Sequence, residues 1–81
     1  MRIYQIEVYG GDSYDGMTWI WRAFASKKGA YKAIFSRLKE VEKGEKCSHY
    51  KDSDGNLVWV IDSEDGYTYT TYKINEMEIE E

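Results

Sequence analysis

The chain reads as an α+β domain, an antiparallel sheet of about five strands with one amphipathic helix packed on one face. Three observations predict this. Short segments of alternating apolar and polar residues lie on both sides of one stretch with helical period. Gly- and Asp-rich turn signals separate those segments. The 81 residues suffice for one domain with a single core.

Arg2–Tyr9 is the first strand, with Tyr4, Ile6 and Val8 on one face and Gln5, Glu7 and Tyr9 on the other. The loop from Gly10 to Gly16 leads to a second strand, Met17–Ala25, which completes a hairpin. Strict alternation there puts Trp19, Trp21, Ala23 and Ala25 on one face and Ile20, Arg22 and Phe24 on the other.

Ser26 is placed to cap a helix over 27–43, its hydroxyl accepting from an orphan backbone N–H. Ala30, Tyr31, Ile34, Phe35, Leu38 and Val41 fall within an arc of about 140°. Lys28, Lys32, Lys39 and Lys43 occupy an arc of about 60° on the opposite side. Gly44 is suited to end the helix, while Gly29 weakens its first turn by about 1 kcal/mol.

Lys46–Lys51 is a strand, followed by a turn with an Asp54-Gly55 signal. Leu57–Ile61 is the most apolar run and the expected central strand, and Asp62–Gly66 is a turn. The last strand is Tyr67–Ile74, with Tyr67 and Tyr69 on one face and Tyr72 on the other. Met77 and Ile79 either prolong it or pack separately, and 76–81 is expected to be a frayed acidic tail of the single domain 1–81.

Charge is sorted along the chain. Residues 27–51 hold eight basic and three acidic side chains, and the flanks hold three basic and twelve acidic, which reproduces the net charge of −4. That balance excludes a general nucleic-acid binder, which needs a net basic domain. A local basic face remains compatible with a phosphorylated small ligand, an acidic protein patch or self-association, a homodimer among them. No apolar run approaches the roughly 20 residues of a membrane span. Met1–Tyr9 alternates and carries Glu7, unlike a secretory signal, and Cys47 is the one cysteine. A soluble cytoplasmic protein, acting in a bacterial host cell, is the expectation.

No cofactor motif is present, and the candidate chemistry is thin. Cys47 and His49 point the same way in one strand, a nucleophile and base in principle, but lack an orienting third residue. As metal ligands they make half a site. Asp52-Ser53-Asp54-Gly55-Asn56 resembles a calcium loop, yet Leu57 and Ser63 stand where the EF-hand needs Gly and Glu, so a turn explains it better. Asp12, Asp15, Asp62, Glu64 and Asp65 sit in exposed turns, where carboxylates keep near-normal pKa values and make poor acid–base pairs. Binding is therefore favoured over catalysis.

Thirteen aromatics, eight of them Tyr, exceed what one helix-on-sheet core hides. The excess is expected on the sheet face the helix does not reach. Trp59, Phe35 and Phe24 are expected in the core. The candidate partner-binding set is Asp12, Asp15, Trp19, Trp21, Asp62, Glu64, Asp65, Tyr67 and Tyr69. If a phosphorylated ligand is bound instead, Lys28, Lys32, Lys39 and Lys43 are the candidates, although such a stripe is ordinarily a solvated helix face.

Phe24, Ser26, Ala30 and Tyr31 lead into the helix, and Tyr72–Glu81 forms an acidic end. With the strand order, these resemble small uncharacterised proteins of bacteriophages and mobile elements, a class that includes inhibitors of bacterial defence systems. The resemblance implies a non-enzymatic protein that occludes a host protein or a protein–nucleic acid effector such as a CRISPR nuclease. The alternative it implies is an oligomeric sponge for a nucleotide signal. No catalytic residue carries over.

Overall fold

A computed structural model describes residues 1–41 and 43–80. The elements are β1 (Arg2–Gly11), β2 (Gly16–Phe24), α1 (Lys27–Lys39), β3 (Lys46–Lys51), β4 (Leu57–Asp62) and β5 (Tyr69–Glu78). They form the expected α+β architecture, a five-stranded sheet in the order β2-β1-β5-β4-β3, antiparallel throughout. α1 joins the two edge strands by crossing one face of the sheet. No helix among the described residues is long and apolar enough to cross a membrane.

The central strand is β5 and not β4, the apolar run expected there, and the first strand pairs with it from Arg2↔Glu78 to Gly11↔Tyr69. β5 thus runs past Ile74, and Glu76–Glu78 are paired where fraying was expected. Arg2 reaches Glu76 at 2.8 Å and Glu78 at 3.1 Å, and the Ile79 N–H donates to the Met1 carbonyl at 2.7 Å. The bond to Glu78, then the charge of Glu76, raise the pKa of Arg2 above its ordinary value. Glu81 lies outside the described residues.

Direct cross-strand neighbours share a face, which sorts the side chains. Tyr4, Ile6 and Val8 of β1, Tyr72 and Ile74 of β5, and Leu57, Trp59 and Ile61 of β4 look toward α1. Ile6, Val8, Trp59, Ile61 and Tyr72 bury there against Ala30, Ala33 and Ile34 of the helix. The opposite face has a polar centre: Lys73 meets Glu7 at 3.3 Å, and Asn75 Nδ2 donates to Glu7 Oε1 at 3.2 Å.

Strict alternation fails in β2. The ladder pairs Ile6 with Arg22 and Glu7 with Ile20, leaving Trp21 as a bulge. Trp21 and Arg22 therefore both lie on the helix side, as do Trp19 and Phe24, whereas the sequence separated Arg22 and Phe24 from the tryptophans. Trp21 meets the Tyr72 ring edge-on at 6.0 Å.

Ser26 caps α1, its Oγ accepting from Gly29 N–H at 3.1 Å. A Cβ on Gly29 would stand 3.1 Å from the Phe24 ring, so the glycine buys close approach of strand and helix. The helix ends at Lys39, before the expected 43, where the Glu40 N–H bonds back to the Arg37 carbonyl. Gly44 (φ +95°) serves instead in the connection to β3. Glu42, within the expected helix, lies outside the described residues.

Ile34 is fully buried at the centre of the helix–sheet contact. Ile34→Ala is expected to cost about 2–5 kcal/mol, measured as a lower urea midpoint with an unchanged m-value.

Candidate functional site

Five strands at about 4.8 Å spacing make a face roughly 19 Å wide. A helix with its side chains spans only about 10–12 Å. α1 lies over β1, β2 and β5, so the β4–β3 side of the same face stays open. A groove of about 800 Å³ results, lined by Lys27, Lys28, Tyr31, Lys32, Phe35, His49, Leu57 and Trp59.

Its floor and wall are aromatic. Tyr31 and Phe35, one helical turn apart, stack at 6.0 Å and 20°. Trp59 meets both edge-on, Tyr31 at 5.5 Å and Phe35 at 5.9 Å. Trp59 is buried, but Phe35 stays 47% exposed and faces the groove, not the core assigned to it from sequence. Phe35, Trp19 and Trp21, part of the aromatic excess, thus flank the helix, because the helix is too narrow to cover its own face. The opposite face holds Tyr9 and Tyr69, with rings 5.6 Å apart, and Tyr50, whose ladder partner is Val58.

The rim is cationic. Lys27, Lys28 and Lys32 border the groove from the helix. Lys27 Nζ lies 5.9 Å from the Tyr31 ring centroid. The first turn of α1 has no acidic residue, so Lys27 and Lys28 oppose the helix dipole at about 0.3–1 kcal/mol each. Lys28 and Lys32, spaced i,i+4, repel by a few tenths of a kcal/mol more.

Lys28 and Lys32 therefore reach a site, whereas Lys39 is exposed at the far end of α1 and Lys43 beyond it. Sequence reasoning missed Lys27, which lies off the stripe. In the sequence, His49 stands out only as a neighbour of Cys47. His49 opposes Trp59 across the β3–β4 ladder and so lines the groove, while Cys47 opposes Ile61.

The acidic candidates gather at the end of the sheet away from the helix start. Gly11 pairs with both Gly16 and Tyr69, so the loop holding Asp12 and Asp15 neighbours the one holding Glu64, Asp65 and Tyr67. Asp62, paired with Lys46, closes β4 at that end. Tyr14 and Tyr67 project into solvent there, Tyr67 in the turn and not in a strand beside Tyr69. Trp19 and Trp21 lie apart from this cluster, on the helix side of β2, where they line a small cleft with Val8, Arg37 and Tyr72.

Two of these carboxylates hold their own loops. Asp12 Oδ1 accepts the N–H groups of Tyr14 at 2.8 Å and Asp15 at 2.7 Å, which lowers its pKa. Asp65 is lowered by the Ser63 hydroxyl at 2.6 Å and the Tyr67 N–H at 2.9 Å. This departs from the near-normal values expected, and it suits them still less to act as general acids. Asp52 likewise accepts from Asp54 and Asn56 in its turn.

No protein-family model, curated protein or solved structure matches the chain.

Because the folded pKa of Asp12 and Asp65 lies below the unfolded value of about 3.9, their contribution is complete above that pH. It is lost as pH falls through the folded value. Amide exchange at Tyr14, Asp15 and Tyr67 is expected to lose protection, relative to the β1–β5 ladder, as pH is taken below the unfolded carboxylate value of about 3.9.

Proposed function

We propose that this protein is a non-enzymatic binding domain whose groove between α1 and β4 takes a small planar phosphorylated molecule of the nucleotide class. One observation carries the reading: Lys27, Lys28 and Lys32 rim a groove walled by Tyr31, Phe35 and Trp59. An aromatic wall stacks on a base, worth about 1–3 kcal/mol, and ammonium groups at its rim meet a phosphate. The lysines sit where they weaken the helix, which a ligand of opposite charge offsets. The net charge of −4 limits the ligand to a compact anion, because a long polyanion would meet the acidic end.

Titration with a nucleoside 5′-diphosphate, followed by calorimetry, is expected to show saturable binding, with the unphosphorylated nucleoside much weaker. Phe35→Ala should weaken it about tenfold or more. Lys28→Glu with Lys32→Glu should abolish the preference for the phosphorylated form. Equal heats for wild type and both variants would overturn the assignment.

A second reading rests on the clustering of Asp15, Asp62 and Glu64 with exposed Tyr14 and Tyr67 at one end. Such a surface suits contact with a basic, nucleic-acid-binding face of a host protein, as in phage inhibitors of bacterial defence. Asp15→Asn with Glu64→Gln leaves the loop-holding Asp12 and Asp65 intact. If this surface acts, a phage-restriction assay should show inhibition by wild type and its loss in the double variant.

A further inference from the structure

The two edges of the sheet are treated differently. β3 carries Lys46, His49 and Lys51 over six residues, the charged pattern that keeps an edge from pairing. β2 spans nine residues with neither lysine nor proline, and its stretch from Met17 to Trp21 has no charge. Four large apolar side chains are exposed on that stretch: Met17 at 71%, Trp19 at 45%, Ile20 at 47% and Trp21 at 37%. α1 does not cover them, and the outer backbone groups of β2 have no neighbouring strand.

We infer that β2 is a homodimer interface, pairing antiparallel with β2 of a second copy to join two sheets into one. Charge supports a second copy as the occupant. Each domain is acidic at the β1–β2 loop and basic at the start of α1, and β2 runs from the first end to the second. Along the β2 edge, a two-fold antiparallel pairing sets the loop of Asp12 and Asp15 of each copy toward Arg22 and the start of α1 of the other. A parallel pairing would stack like on like.

The side chains are self-complementary as well. Centred on Trp19, the register pairs Trp19 with its own mate, Met17 with Trp21 and Thr18 with Ile20. Each pair shares a face, and no like charges oppose. Arg22 falls one position from Asp15 of the second copy. A two-fold perpendicular to the sheet keeps both helices on one face, with Met17, Trp19 and Trp21 of both copies pooled between them.

Sedimentation equilibrium at high micromolar concentration tests this, with twice the chain's 9.5 kDa expected for wild type. Ile20→Lys places a charge at the seam on an exposed site away from the core. It should return the mass to a monomer with unchanged circular dichroism and unchanged nucleotide titration, so this test is separate from that of the groove. Trp19→Cys, made with Cys47→Ser, should cross-link to its own mate under oxidation, while Thr18→Cys in the same background should not. A monomeric wild type, a dimer that survives Ile20→Lys, or cross-linking at position 18 in preference to 19 would each overturn the inference.

Discussion

One helix has to cover a sheet about twice its width, and most of the surface of this protein follows from that mismatch. α1 delivers Ala30, Ala33 and Ile34 to the middle of the face and seals Ile6, Val8 and Tyr72 beneath it. On either side of the helix, large side chains that belong to the inner layer are only half covered. Phe35 and Trp59 line one margin, and Trp19 and Trp21 the other. Part of the aromatic surplus, Phe35, Trp19 and Trp21, is thus the uncovered part of the core layer, while Tyr14, Tyr50 and Tyr67 are exposed elsewhere. At the centre of the opposite face, Glu7 pairs with Lys73 and accepts from Asn75.

The margins differ in electrical character because the chain sorts its charges. Lysines of the first helical turns fall beside the β4 margin, making it a cationic aromatic groove. Beside α1 the β2 margin mixes Trp21 and Phe24 with Arg22, Lys32, Arg37 and Glu40, and its apolar stretch is the small cleft of Val8, Trp19, Trp21 and Tyr72. One helix therefore separates a surface suited to an anion from a surface suited to an apolar strand.

The sequence carried the strands, the cap at Ser26 and the inner face of β1, because period and turn chemistry are local properties. It did not carry the bulge at Trp21, which arises from the register of β2 against β1 and has no signal within β2 itself. Strict alternation consequently misplaced Arg22 and Phe24. The end of β5 was likewise hidden: Glu76 and Glu78 read as a solvated tail until Arg2, at the other end of the chain, is placed beside them. The lysines were recognised as a stripe, but which of them border a site depends on where β4 lies relative to α1. Lys28 and Lys32 do, Lys39 and Lys43 do not, and Lys27 replaces them. Phe35 was assigned to the core by its helical phase, which is correct for its direction and wrong for its cover.

The pairing of β1 with β5 also shapes how the chain reaches its fold. β1–β2 and β3–β4 are hairpins whose contacts close over short loops, and each can form early. Neither hairpin neighbours the other in the finished sheet; β5 lies between them and pairs with both. Their joining therefore waits for the last strand and for closure of a loop nearly as long as the domain, a high-contact-order step. Until β5 is in place, Ile6 and Val8 of one hairpin and Trp59 and Ile61 of the other lack Tyr72, the buried side chain that lies between them in the core layer.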